Sequence, residues 1–177
     1  MPTSVPAWPT TAPDVDELGR AFAVLSVGEE AHAVADRWCE RLVELGRPVL
    51  RHRAAAPAGP YGAAVRWADR QARGARAGWR FCVVGPEDEV LLACAAVRAH
   101  GAIDAEITAH AVSTARRRVL CTHCRTTTTT TAPVGGTCPC AGCGRTLLVY
   151  HHVSRRHAGY MGFAADAEEI PTPEENP

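Results

Sequence analysis

The sequence predicts an α/β fold in two parts, a small domain on a parallel sheet followed by a four-cysteine ribbon. Two observations carry this expectation. From Ala21 to Ala109 short apolar runs alternate with helical stripes, and strand–helix alternation requires right-handed crossovers and parallel strands. Then Cys121-Thr-His-Cys124 and Cys140-Ala-Gly-Cys143 stand a hairpin apart, the ligand layout of a four-cysteine metal site.

The elements follow in order. Residues 1–18 hold four prolines and no periodicity, which predicts a flexible arm. In the α/β domain, 19–114, Ala21 to Leu25 is an apolar run suited to a strand buried on both faces. Glu29 and Glu30 suit a helix N-terminus, and Ala31, Val34, Ala35, Trp38, Leu42 and Leu45 form the stripe of a helix stopped at Gly46. Val49-Leu50 is the next strand, and Tyr61 to Gly74 a second helix with Ala64, Val65, Ala68 and Ala72 inward. Trp79 to Val84 is a third strand. Gly85-Pro86-Glu87-Asp88 opens a third helix closed by Gly101, and Ile107 to Ala109 is a fourth strand. Cys39, Cys82 and Cys94, with Trp38, Trp67 and Trp79, fall on inward positions and read as packing residues.

Residues 115–163 form the ribbon and the segment after it. Arg118 to Leu120 precedes the first knuckle and Leu147 to Tyr150 follows the second, while Thr126 to Thr131 favours strand and Ala132 to Gly136 makes the reversal. Gly144 permits the left-handed backbone of a knuckle. Cys121, Cys124, Cys140 and Cys143 are the expected ligands, with Cys138 able to replace Cys140. The alternatives are two disulfides or free thiols. Zinc is favoured by ligand type; iron in a rubredoxin-like, electron-carrying centre is the alternative. From His151 to Phe163 the chain looks too polar for a buried strand and its glycines suit no helix. Tyr160, Met161 and Phe163 therefore read as a docking surface for a partner, with Arg155 and Arg156 pairing its carboxylates. Residues 164–177 predict an acidic, flexible tail, either solubilising or docking.

The net charge is zero, so no global field draws the chain to nucleic acid or membrane. Arg116, Arg117 and Arg118 are its basic cluster, and a nucleic-acid-binding ribbon is the weakest of the readings. No apolar run is long enough to span a bilayer and Met1-Pro2-Thr3-Ser4 begins no signal peptide. Eight cysteines without an export signal suit a reducing, cytoplasmic setting. No catalytic constellation is present: there is no G-x-S-x-G, no P-loop, and no acid pair with a matching base.

Two resemblances add to this reading. The order of elements, with turns at Ser26-Val27-Gly28-Glu29 and Gly85-Pro86-Glu87, resembles the Rossmann-like NAD(P)-binding half of ferredoxin reductases. Val84 stands where that family has cysteine, and of its first glycine cluster only Gly28 remains, followed by two acids that oppose a phosphate. The resemblance implies a reductase-like scaffold that has lost its cofactor. The run from Cys121-Thr-His-Cys124-Arg125 through Cys143-Gly144-Arg145, His151-His152-Val153-Ser154-Arg155-Arg156 and Tyr160-Met161-Gly162 is similar to the small A subunit of bacterial dimethylamine monooxygenases. It implies an accessory, non-catalytic subunit of an assembly that demethylates dimethylamine to methylamine and formaldehyde with NADPH and O2. Its larger partner subunits would carry haem, flavin and an iron–sulfur centre.

Overall fold

The computed structural model describes residues 4–60 and 62–167. Met1 to Thr3 of the expected arm, Tyr61 at the expected start of the second helix, and 168–177 of the expected tail lie outside them. The first unit runs β1 (Ala21–Val27), a 3-10 turn (Glu29–Ala31), α1 (His32–Glu44), β2 (Val49–Ala54), α2 (Ala63–Arg73), β3 (Trp79–Pro86), α3 (Glu87–Arg98) and β4 (Ile107–Ser113). Its four strands lie in the order β2-β1-β3-β4, and every neighbouring pair is parallel. Alternate residues of β1 supply two cores: Phe22 and Val24 pack with Trp38 and Leu42 of α1, while Ala23, Leu25 and Val27 pack with Ala68 of α2 and Val90 of α3. Helices on both faces explain why the run is apolar without alternation. Cys82 and Cys94 are buried, as expected of packing residues, and Cys39 is half-buried.

The second unit holds β5 (Arg117–Cys121), β6 (Thr127–Thr130), β7 (Thr137–Pro139), β8 (Thr146–Ser154) and β9 (Gly159–Ala164). The strand order is β6-β5-β9-β8-β7, so the last strand among the described residues is the central one, parallel to β5 and antiparallel to β8. This corrects the reading of residues 151–163 as unfit for a core. The glycines are what seat β9. A Cβ on Gly159 would stand 2.7 Å from the Arg118 carbonyl oxygen, and one on Gly162 2.6 Å from Val119 Cγ1. Glycine inside a strand marks such close approach.

Helix α3 joins the units. Val90, Ala93, Cys94 and Val97 face the parallel sheet, whereas Leu91 and Leu92 pack with Val119, Leu147, Val149 and Tyr160 of the second sheet. Its first turn carries three buried acids, Glu87, Asp88 and Glu89. Glu87 Oε1 accepts from the Tyr160 hydroxyl at 2.9 Å and from Trp8 Nε1 at 2.8 Å. Asp88 accepts from Arg116 Nε at 2.6 Å, and Glu89 Oε1 from the amides of Ala58 and Gly59 at 2.8 and 3.0 Å. Arg117 lies 3.9 Å from Glu87 Oε2 and over the Tyr160 ring. Acids at a helix N-terminus also meet its dipole favourably.

Residues 4–16 follow a fixed course, which corrects the expectation of a flexible arm where they are described. Val15 is buried, the Pro13 carbonyl accepts from Trp38 Nε1 at 2.9 Å, and Asp16 pairs with Arg80 at 2.5 Å. Composition conceals these anchors because each partner lies far along the chain. No helix among the described residues is long and apolar enough to cross a membrane.

Tyr160→Phe should lower stability by about 1–2 kcal/mol, the cost of withdrawing a donor from a buried carboxylate. Tyr160→Ala, which also empties core volume, should cost about 3–5 kcal/mol. Denaturant unfolding of the two variants checks both values; equal, negligible losses would remove Tyr160 from the core account.

Candidate metal centre

The two knuckles have one backbone design. The Cys121 amide donates to the Thr126 carbonyl and the Cys140 amide to the Arg145 carbonyl, at 3.0 and 2.8 Å. The Arg125 and Gly144 amides return to the Cys121 and Cys140 carbonyls, each at 3.0 Å. Both turns then close through the left-handed region, Arg125 at φ 63° and Gly144 at φ 72°. Glycine adopts that conformation without penalty, whereas arginine holds it at a cost of about 1–2 kcal/mol.

These turns aim four sulfurs at one point. The Sγ atoms of Cys121, Cys124, Cys140 and Cys143 all lie within 4.8 Å of one another, with Cys121–Cys143 at 3.9 Å and Cys124–Cys140 at 3.5 Å. Four sulfurs about 2.3 Å from a central ion sit about 3.8 Å apart, so the cage fits a tetrahedral thiolate-bound metal. A disulfide needs about 2.05 Å, and these separations exclude that pairing. Cys138 does not join the four. It is buried in the core beside Leu147, where burial pushes its thiol up.

Local donors favour the thiolate at Cys124 and Cys140. At Cys143 the lowering backbone donor of Arg145 is outweighed by burial and the neighbouring sulfurs, which push that thiol up to about 11. The Thr126 hydroxyl, then its backbone, pulls the Cys124 thiol down to about 6. Amides of Cys143 and Gly142 lower the Cys140 thiol, and the Gly142 amide stands 3.4 Å from that sulfur. The ion would supply cross-linking. Four thiolates fill a tetrahedron and leave no position for substrate or water.

The expected docking residues divide. Tyr160 is 1% exposed and bound to Glu87. It belongs to the chain's own core, so the expectation that it inserts into a partner is corrected. Met161 is half-buried and Phe163 is 39% exposed. Arg155 pairs with Asp104, and Arg156 is exposed. Two residues were missed. Leu148 stands opposite Phe163 across the β8–β9 pair, and Tyr150, 46% exposed, meets the Phe163 ring edge-on at 5.1 Å. With Ala164, Ala165 and Ala167 these three line an open hollow of about 360 Å³. The signal was available: period-two alternation in Leu147-Leu148-Val149-Tyr150 sends 148 and 150 to the face opposite the core.

The basic cluster is spent internally. Arg116 and Arg117 pair with the α3 acids, and Arg118 Nε donates to the Ala158 carbonyl at 3.2 Å. A cleft of about 700 Å³ opens at the carboxyl ends of the parallel strands, lined among others by Val27, Gly28, Glu29, Glu30, Arg53 and Pro86. Its one lining guanidinium, Arg53, is bonded to Asp36 at 3.0 Å, and the Gly28 amide is taken by the Ala54 carbonyl at 2.9 Å.

Residues 118–163 match the family model described as the C-terminal domain of dimethylamine monooxygenase subunit DmmA-like proteins. The chain is also 36% identical over 95 residues to the heme-dependent oxidative N-demethylase delta subunit of Ectopseudomonas mendocina (strain ymp), covering 54% of this chain and 53% of that protein. It thus spans about half the length of the curated relative it matches. No solved structure matches. The likeness of the ribbon segment to the DmmA-like subunit is thereby shown.

Gly142→Ala would bring a methyl against Thr126 Oγ1 and to 3.1 Å from Cys124 Sγ. Metal affinity should fall by about 10–100-fold, the usual effect of disturbing a ligand's supporting contact. Arg125→Gly should instead keep the metal and raise stability by about 1 kcal/mol, because the strained turn relaxes. Chelator competition and thermal unfolding measure the pair; metal loss in Arg125→Gly would contradict the shared knuckle design.

Proposed function

We propose that this chain is an accessory, non-catalytic subunit of a haem-dependent oxidative N-demethylating oxygenase, with zinc held structurally by Cys121, Cys124, Cys140 and Cys143. One observation carries the reading. The stretch that matches the DmmA-like domain, residues 118–163, is the stretch that builds both the sulfur cage and the face of half-buried Leu148 and exposed Tyr150 and Phe163. In this reading the larger subunits hold haem, flavin and an iron–sulfur centre and use NADPH and O2, dimethylamine is the substrate, and the assembly is cytoplasmic. Tyr150, Met161 and Phe163 seat the chain on those subunits, with Arg155 and Arg156 at the edge of the contact. Aromatic and sulfur side chains that reach the surface, as these three do in whole or in part, are enriched in protein interfaces.

A Tyr150→Ala, Phe163→Ala double variant, expressed in the native host, should fold and keep its metal yet fail to copurify with the larger subunits. Normal assembly of the variant would end the docking assignment. Iron is the second reading, favoured by the amide that approaches the Cys140 sulfur, as in tetrathiolate electron carriers. Visible absorbance separates them, since ferric tetrathiolate is red and zinc is colourless.

The α/β unit is, in the same reading, a reductase-like scaffold without its cofactor. Glu29 and Glu30 border the cleft where a pyrophosphate would rest, and they repel it. Titration with NADPH should give no saturable binding at micromolar concentration; a clear isotherm would restore a reductase role.

A further inference from the structure

Charge is unevenly spread along this neutral chain: residues 115–163 hold seven arginines and no aspartate or glutamate. Four of the seven are paired within the fold. Arg116 and Arg117 meet the α3 acids, Arg118 the Ala158 carbonyl, and Arg155 meets Asp104. Arg125, Arg145 and Arg156 are exposed, and among the described residues none of their guanidiniums has a hydrogen-bond or ion-pair partner. Arg156 lies in the turn after β8, at the opposite end of that strand from Arg145. Arg125 and Arg145 belong to the two knuckles. Each follows a ligand cysteine, Cys124 or Cys143, within two residues, and the four sulfurs lie within 4.8 Å of one another. The two guanidiniums therefore share the metal end of the ribbon.

Arg125 is also a costly residue for its place. It stands at φ 63°, and Gly144 at φ 72° closes the second knuckle in the same way. Glycine holds that conformation freely and arginine does not. Strain kept where a glycine would serve the fold points to a use outside the fold. The neighbourhood supports one. Ala165, which lines the hollow beside Phe163, donates its amide to the carbonyl of Thr146, the residue after Arg145, at 2.9 Å. The charged tip thus adjoins the apolar face.

We propose that Arg125 and Arg145 form a cationic docking tip that takes a carboxylate-rich segment of a partner protein. The proposal rests on reading the chain as a subunit of a larger assembly, and it names the chemistry of one contact. Planar guanidiniums take carboxylates bidentately, and no acid within residues 115–163 competes for them. A polynucleotide fits less well. Its affinity grows with the number of phosphates neutralised, and the knuckles offer two guanidiniums and no Phe, Tyr or Trp on which a base could stack.

The test measures binding of the metal-loaded full chain to a labelled poly-L-glutamate peptide and to a DNA duplex at low salt. The parent chain should bind the peptide and release it as salt rises. Arg125→Gly combined with Arg145→Gln should weaken peptide binding on the order of tenfold, with metal content unchanged. Arg70→Gln combined with Arg76→Gln, which removes the same charge from exposed positions of the first unit, should leave binding unchanged. No peptide binding by the parent chain, an equal loss in the Arg70 and Arg76 variant, or tighter binding of the duplex than of the peptide would each overturn the proposal. So would metal loss in the knuckle variant, because the two arginines would then serve to balance the thiolate charge. The peptide probe needs no larger subunit, so its result stands apart from that of the copurification.

Discussion

Three carboxylates buried side by side at the start of α3 carry charge that the interior tolerates only while each neighbour keeps its donor in place. Those donors come from well-separated parts of the chain: Trp8 from the arm, the Ala58 and Gly59 amides from the loop after β2, Arg116 from the passage into the ribbon, and Tyr160 from its central strand, with the Arg117 charge 3.9 Å from Glu87. The burial of Glu87, Asp88 and Glu89 therefore fixes how the segments meet. Burial and the Glu87 charge push the Tyr160 phenol up to about 12, which keeps its proton available for that bond. A helix buried on nearly all sides thus has one oxygen of each acid at its polar end bonded from outside the helix, while Glu87 Oε2, Asp88 Oδ1 and Glu89 Oε2 are buried without a hydrogen-bond partner.

In the proposed reading the ribbon depends on a metal for a different reason. Its apolar core is small, built around Val119, Leu147, Val149, Val153 and Tyr160. Structural zinc binding is worth about 10–16 kcal/mol in isolated fingers, and such binding energy is folding energy. The paired knuckle backbones make that gain specific to one arrangement of sulfurs, and Arg125 holds a left-handed turn because the cage requires it.

Much of this was legible in the sequence where the relevant contacts are local. Strand–helix alternation located β1 to β4 and α1 to α3, and C-x2-C spacing located the four cysteines, because both patterns follow from the geometry of a few adjacent residues. Reading failed where the partner is distant. The glycines of β9 looked like breakers because their close neighbours, Arg118 and Val119, lie some forty residues upstream on β5. Tyr160 looked exposed because nothing nearby in sequence announces Glu87. In sequence Glu87 and Asp88 read only as the opening of a helix and Arg116 to Arg118 only as a basic cluster, since nothing local reveals that Arg116 and Arg117 meet the acids of α3. Cys138 and Cys140 stand two apart, a spacing that strand alternation sends to one face. They are told apart only because β7 ends at Pro139 and the knuckle turn that starts at Cys140 carries its sulfur into the cage, while Cys138 stays opposite Leu147.

The position of β9 also governs how this protein can be made. The ribbon's central strand emerges from the ribosome after all the others, and until Ala164 has appeared β5 and β8 each keep an edge with no neighbour. Exposed edges of that kind recruit strands from other chains. Early capture of the ion by Cys121, Cys124, Cys140 and Cys143 would hold β5 and β8 apart at the right distance, leaving a slot that the last strand fills. Metal supply during synthesis would then decide between a finished ribbon and an aggregate, even though the ion lies at one end of the sheet it protects.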